Sequence, residues 1–225
     1  MADFVLKDAI EFLRQQLALP EDVWQALIEE VDQAARARAF DMSRSMHEGI
    51  LKAIIKALEE GSTLETFRAD FDDLVKRHGW QGDNQDGWRT SLIFRTQIAQ
   101  AQAAGKWREI QSQKPQYLRY VAIGDNRTRP QHLLWHDTIL LADHPWWQTH
   151  FPPNGFNCRC SVMALNDRQL KRFDMKVSDE APPMNWVDKI TKQGDDYQTV
   201  KVPGGIDPGF AFNIGERGLK LPPKL

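Results

Sequence analysis

A change of sequence character near Lys114 constrains the fold of this chain more than any other feature. Before that point, apolar residues recur at intervals of three and four, which is the period of one helix face. After it, aromatic residues, prolines and glycines crowd together, and residues 117–123 alternate in the manner of a strand. The sequence therefore predicts a helical first half joined to a module of a different kind.

Five apolar stripes define the helices expected in the first half. The first stripe contains Leu6, Ile10, Leu13 and Leu17, and the others lie in residues 24–35, 42–57, 64–75 and 88–111. No strong helix breaker separates the second stripe from the third, so these two can belong to one long helix or to two.

Short strands and one short helix are expected after Lys114. Strands are predicted at residues 117–123 and 158–165, with a short apolar run at 138–141 between them, and a helix is predicted to begin at Asn166 or Asp167. We therefore predict an α+β protein with three parts. These are a helical region at 1–115, a small mixed module at 116–174 and an extended tail, rich in proline and glycine, at 175–225 that has little core of its own.

The composition limits the function classes that remain. A formal net charge of -2 gives no global attraction to nucleic acid, as a DNA-coating protein would have. The N-terminal residues do not resemble a signal peptide, and no apolar run is long enough to span a membrane. Two cysteines one residue apart are too few for a disulfide framework. We expect a protein that is made in the cytoplasm and stays there or in a particle assembled there.

Two histidines and two cysteines are candidate metal ligands. His132 and His136 would share one face of a helix that begins at Pro130. Cys158 and Cys160 alternate along a predicted strand, which points both sulfurs to one side. Two imidazoles and two thiolates can close a tetrahedral structural zinc site. The Cys-x-Cys spacing differs from the usual Cys-x-x-Cys, however, so the alternative is that the thiols pack in a small apolar core.

A cluster of charged residues follows the first predicted strand. Asp125 beside a turn can accept backbone hydrogen bonds or pair with an arginine such as Arg127 or Arg129. We favour a structural ion pair over an anion or metal site. A metal-dependent nuclease or toxin-like enzyme using Asp125, His132 and His136 is the competing interpretation. Because few carboxylates are nearby, we predict loop histidines without catalytic chemistry and a protein that is not an enzyme.

Aromatic residues in two segments are candidates for partner binding. In the proline-rich loop near Gly155, a filled core is favoured over a partner contact, with Trp147 and Phe151 the candidates for exposure. In the tail, Phe210 and Phe212 could insert into a pocket on a neighbouring protein, because the flanking glycines let the chain extend.

Three groups of basic residues could contact phosphate. They are Arg36, Arg38 and Arg44, then Arg168, Lys171 and Arg172, and finally Arg217, Lys220 and Lys224. For the groups on helices a solvated face is the favoured interpretation. A DNA-binding module remains an alternative function.

Three segments of the chain resemble the Mu F-like head proteins, a branch of a wider phage head-morphogenesis family. The first segment is an Arg-Thr helix at residues 95–105, and the last is a glycine-rich stretch at 202–215. Between them lies a core of three elements, which are Asp-Asn-Arg at 125–127, Pro-Pro-Asn-Gly at 152–155 and Cys-Arg-Cys at 158–160. The order of the three core elements is specific. The residues expected to hold this core in shape are Asp125, Arg127, His132, Cys158, Arg159 and Cys160.

The resemblance implies structural work in a virion. Proteins of this kind are minor head (capsid) components that help head morphogenesis, lie with the portal protein inside the head and contact capsid or scaffold proteins. It implies a place in the virion and, during assembly, in the host cytoplasm, with no membrane association. A contact with packaged DNA is also part of the expectation.

The resemblance bears on the zinc prediction as well. Relatives in the wider family have a Cys-Pro-x-Cys pair and a His-Pro-x-Cys-Arg-Cys segment that resemble a zinc cluster. This chain has Arg129 and Gly155 at two of the matching positions. His136 or Asp125 would have to substitute for the missing ligands.

Overall fold

The computed structural model describes residues 2–18, 44–61, 64–77, 88–193 and 196–219. The predicted stripe at residues 24–35 lies outside this part of the chain, as do Arg36, Arg38, Lys220 and Lys224. The described residues combine helices with two small sheets. The predicted α+β class is therefore confirmed.

Helices build the described part of the first half, at the positions where the apolar stripes predicted them. They are α1 (Ala2–Leu17), α2 (Arg44–Glu60), α3 (Leu64–Arg77) and α4 (Trp88–Gln113). α1 packs against α4 and α2, and α2 packs against α3. The stripe residues Leu13, Met46, Ile50 and Ile54 are buried in the shared core. Burial of these side chains stabilises the bundle far more than helix propensity does.

A three-stranded antiparallel sheet forms the centre of the mixed module. Its strands β1 (Tyr117–Val121), β2 (Ile139–Leu141) and β3 (Ser161–Leu165) lie in the order β2-β1-β3. Leu118 pairs with Leu140 on one side and with Ala164 on the other. This face turns toward the main core of the module, while Ile139 and Leu165 on the opposite face form a small cluster. The alternation along β1 thus places one set of side chains in each cluster.

Two short helices join these strands and a third follows β3. They are α5 (Pro130–Leu134), α6 (Trp147–His150) and α7 (Asp167–Arg172). Pro130 stands at the start of α5, where its missing N–H costs nothing and its fixed φ suits a helix. Asn166 and Gln169 form a capping box at the start of α7. Local sequence signals therefore fix both helices that flank the sheet.

The segment after Met175 is not the extended arm that its composition predicted. It contains a hairpin of β4 (Trp186–Gln193) and β5 (Asp196–Pro203), followed by α8 (Ile214–Leu219). Ile206 and Phe210 are buried in the core of the mixed module. At Gly215 a Cβ atom would lie 2.2 Å from Cβ of Trp107, so only glycine allows α8 to approach α4 this closely.

Helix α4 contributes to both main cores of the chain. Ala101 and Ala104 pack in the helical bundle, whereas Trp107 and Ile110 pack in the mixed module. Because α4 packs in both cores, it does not mark a boundary between separate units. The division into three parts at residues 115 and 174 stays a prediction, although α4 ends and β1 begins close to residue 115. Within the described residues, no helix has both the length and the apolar character that a membrane crossing requires.

Candidate functional site

The candidate site lies where the loop after β1, the start of α5 and the segment before β3 meet. The loop begins with Gly124 in a left-handed conformation that glycine adopts without strain. Asp125 then accepts hydrogen bonds from the backbone N–H of Arg127 and the hydroxyl of Thr128. This Asx-type turn directs the chain into α5, which carries His132.

His132 is held in one orientation by contacts on both of its ring nitrogens. The side chain is only 1% exposed and stacks on the indole of Trp135, with ring centroids 4.9 Å apart. Nε2 lies 3.0 Å from the carbonyl oxygen of Gly205. Because a carbonyl only accepts, Nε2 must carry the proton that it donates to Gly205. In the neutral ring this leaves Nδ1 with a free lone pair.

The sulfurs of Cys158 and Cys160 face that lone pair. Nδ1 of His132 lies 3.7 Å from Sγ of Cys158 and 3.5 Å from Sγ of Cys160. These three ligand atoms all lie within 4.8 Å of one another. The hydrogen bond between the two thiols lowers the pKa of Cys158 and raises the pKa of Cys160, and His132 also lowers the pKa of Cys158. The cysteines precede β3, which begins at Ser161 rather than at Cys158 as predicted.

Arg159 stands between the two cysteines and forms an ion pair with Asp125. Both terminal guanidinium nitrogens donate to the carboxylate, with Nη1 2.9 Å from Oδ2. The planar guanidinium suits this two-point contact. The hydrogen bonds from Arg159 hold the pKa of Asp125 well below its usual range. The carboxylate thus stabilises the fold above its ordinary pKa, and this contribution is lost as the pH falls through the lowered folded value.

Arg127, the other arginine expected to pair with Asp125, makes a weaker contact. Its Nε lies 3.7 Å from Oδ2 of Asp125 and its side chain is mostly exposed. The structural ion pair predicted for Asp125 therefore exists, but its main partner is Arg159, 34 residues further along the chain. This pair ties the Cys-Arg-Cys segment to the turn after β1.

A second ion pair, which the sequence did not predict, joins Arg129 to Asp207. Nη2 of Arg129 donates to Oδ2 of Asp207 at 2.7 Å, and the backbone N–H of Phe156 donates to the same oxygen at 3.1 Å. Asp207 falls in the glycine-rich stretch that carries the family resemblance, and this was its only signal. At Gly155 a Cβ atom would lie 2.4 Å from Oδ2 of Asp207, so the pair occupies the space beside that glycine.

The structure does not place His136 with the other three candidate ligands. Helix α5 ends at Leu134, so the four-residue spacing from His132 does not put both rings on one helix face. Nδ1 of His136 accepts a hydrogen bond from the backbone N–H of Ala122 at 3.1 Å. The expectation of a two-His, two-Cys set is therefore corrected to a set of three.

The geometry also separates the residues of the nuclease alternative. Asp125 is engaged by Arg159, and His136 by Ala122, while only His132 reaches the cysteines. A groove of about 1030 Å³ runs between α4 and residues 151–162, with Cys158 and Cys160 in its wall. The described residues that line it include no aspartate or glutamate. These positions do not assemble the carboxylate-rich site that metal-dependent nucleases use.

The aromatic candidates lie in the core. Trp147 and Phe151, the two candidates for exposure in the loop, are only 1% and 2% exposed. Phe210 is also buried and packs edge-on against Phe156, while Phe212 is half-buried. The favoured interpretation of the loop aromatics, a filled core, is confirmed.

Burial beside Trp146 lowers the pKa of His150 to about 4, so that ring is neutral near pH 7.

Comparison with known proteins agrees with the resemblance that the motif order indicated. Residues 48–163 match the family described as "Phage Mu protein F like protein". The chain is 32% identical to the "Putative capsid assembly protein F" of Escherichia phage Mu over 171 residues, which are 67% of this chain and 39% of that relative. It is 30% identical to the "Mu-like prophage FluMu F protein" of Haemophilus influenzae over 213 residues, which are 81% of this chain and 51% of that relative.

The match spans Asp125, His132, the cysteines and helix α4 together. The chain therefore belongs to the family of phage Mu F-like proteins. It spans about half the length, or less, of these two relatives. No solved structure matched it.

Proposed function

We propose that this chain is a minor head protein that acts in capsid assembly of a Mu-like phage by docking on the portal protein. The name of the phage Mu relative, a putative capsid assembly protein, supports a role in the capsid and in assembly. The role is binding and not turnover, and its place is inside the head and, during assembly, in the host cytoplasm. The observation that carries the docking step is an exposed apolar face on the β4–β5 hairpin.

The two faces of this hairpin differ in what they contact. On one face, Val202 and Thr191 are buried, and Nζ of Lys189 donates to the carbonyl oxygen of Ile206. Side chains alternate along a strand, so Trp186 and Ile190 lie on the other face. The register places Trp186 opposite Pro203 and Ile190 opposite Thr199.

This other face, which we call the hairpin face, exposes three large side chains. Trp186 is 55% exposed, Ile190 68% and Tyr197 72%. An ion pair between Lys201 and Asp188 lies among them. Tryptophan and tyrosine at the centre of an interface, surrounded by polar groups, are the residues that most often dominate binding free energy. The hairpin face thus has the composition of a docking surface, which the buried Trp147 and Phe151 lack.

Substitution on the hairpin face is expected to weaken binding to the portal protein. We expect Trp186→Ala to lose about 2 kcal/mol of binding free energy, which is roughly 30-fold in Kd. Tyr197→Ala should have a smaller effect in the same direction. Binding of the purified chain to the portal protein of the same phage, followed by surface plasmon resonance or calorimetry, measures both.

Phe173→Ala is the matched control because Phe173 is similarly exposed, at 54%, but lies at the end of α7 rather than on the hairpin. It should bind the portal as the unchanged chain does. Equal loss in Phe173→Ala and Trp186→Ala would contradict a specific role for the hairpin face. Binding to the major capsid protein alone would contradict the choice of partner.

A contact with packaged DNA stays a prediction. The basic residues Arg168, Lys171 and Arg172 are exposed on α7. Both a DNA-binding surface and a solvated helix face require this exposure, so it does not distinguish between them. No feature of the described site favours DNA binding over that interpretation.

A further inference from the structure

We propose that His132, Cys158 and Cys160 together bind a zinc ion, through Nδ1 of the imidazole and the two sulfurs. The proposal rests on the positions of these three side chains and does not depend on the docking function. Two thiolates and one imidazole form a ligand set that prefers zinc among the abundant divalent cations of a cell.

The distances between the ligand atoms agree with tetrahedral coordination. With Zn–S bonds of about 2.3 Å and a Zn–N bond of about 2.0 Å, tetrahedral angles put nitrogen and sulfur about 3.5 Å apart. The observed separations of Nδ1 from the two sulfurs are 3.7 and 3.5 Å. An ion can therefore enter with small adjustments of these three side chains.

The tautomer of His132 that its hydrogen bond selects also fits a metal ligand. Its Nε2 donates to the carbonyl oxygen of Gly205, so Nδ1 is the nitrogen with a lone pair, and it points at the sulfurs inside a buried site. A backbone carbonyl on the far nitrogen is the usual second contact of a histidine that binds zinc, because it fixes the ring and its tautomer. Any thiol still protonated would release its proton to solvent as the ion binds.

The fourth coordination position is left to a water molecule. Among the described residues, the group of candidate ligands that converge here has three members, and His136 is not one of them. The ion pair of Arg129 with Asp207 fills the space beside Gly155. The guanidinium of Arg129 cannot coordinate a cation.

Zinc in this position would connect three parts of the chain. His132 belongs to α5, the cysteines precede β3, and the carbonyl of Gly205 belongs to the C-terminal segment. The ion would hold the first two directly and strengthen the third through the His132 hydrogen bond. Its proposed role is to hold these three parts together, with the fourth position open to solvent.

The first test is metal analysis of the chain purified without a histidine tag and under reducing conditions. We expect about one zinc ion per chain, reduced at least tenfold in Cys158→Ser and Cys160→Ser. His136→Ala is the matched control and should retain its zinc. Substitution with cobalt should give thiolate-to-cobalt charge-transfer absorption in the unchanged chain and in His136→Ala, but not in the cysteine variants.

A second measurement separates loss of the site from loss of folding. Removing the ion from the unchanged chain with a chelator should lower the Tm, and adding zinc back should restore it, while circular dichroism at low temperature shows retained helix. The proposal is overturned if the reduced chain takes up no zinc when it is supplied in excess. It is equally overturned if both cysteine variants keep a full complement, or if His136→Ala loses it.

Discussion

Trp135→Ala is expected to lower the free energy of unfolding by about 4 kcal/mol, the largest effect of any single substitution that we consider. Trp135 is 1% exposed and is the residue around which the aromatic core of the mixed module is arranged. Its indole stacks on His132 and meets Tyr120, Trp146 and His150 edge-on. Removing it leaves a large cavity that these rings can fill only in part. Urea denaturation at constant pH measures the change.

Two further variants show whether this loss comes from the cavity. Trp135→Phe keeps a ring in the same place, so we expect it to lose about half as much stability. Leu134→Ala alters the preceding residue of α5, which is 73% exposed, and should change stability by less than about 0.5 kcal/mol. If Trp135→Ala were as mild as Leu134→Ala, the aromatic cluster would not be a core that stabilises the module.

Periodicity made the helices and the first strand predictable. The stripe containing Leu13 and the stripe containing Ile50 each mark the side of a helix that meets the bundle, because burial selects apolar residues at helical spacing. Alternation predicted β1, whose Leu118 and Tyr120 are buried in one core. These signals are local, so they can be recognised in the sequence without knowing which elements pack together.

The C-terminal segment was mispredicted because its partners are distant in the sequence. Glycine and proline there indicated an extended arm, and Phe210 looked like an anchor for another protein. Phe210 instead packs in its own chain against Phe156, and Asp207 pairs with Arg129, 78 residues earlier. Amino-acid composition shows how much apolar surface a segment carries. It does not show whether a module earlier in the chain has a complementary surface on which that segment can pack.

The candidate site was only partly predictable, again because some of its contacts join residues that are distant in the sequence. The motif order singled out Asp125, His132, Cys158 and Cys160, and the structure brings the last three together. His136 was included on helical spacing, which applies only while the helix continues, and α5 ends two residues before it. The bond from His132 to the carbonyl of Gly205 had no local signal, since any residue has a backbone carbonyl.

Asp207→Ala is expected to be the next most damaging substitution, with a loss of about 3 kcal/mol. The carboxylate is largely buried and accepts hydrogen bonds from Arg129, from the backbone N–H of Phe156 and, at 3.5 Å, from Lys189. Alanine would leave the half-buried guanidinium and the N–H without that acceptor. It would also release the contact that fastens the C-terminal segment to the loop at Gly155. Urea denaturation measures the loss, and faster limited proteolysis near the hairpin should accompany it.

A double-mutant cycle with Arg129→Met assigns this loss to the ion pair. Because the two side chains contact each other directly, the double variant should be more stable than the sum of the single losses predicts, by about 1–2 kcal/mol. Lys201→Met supplies the comparison, since its pair with Asp188 is exposed and should change stability by less than about 0.5 kcal/mol. Strict additivity of Arg129→Met and Asp207→Ala would mean that Asp207 acts through the backbone N–H of Phe156 and through Lys189, and not through Arg129. The attachment of the C-terminal segment to the loop at Gly155 would then depend on the hydrogen bond from Phe156 and on the burial of Ile206 and Phe210, not on the charge of Arg129.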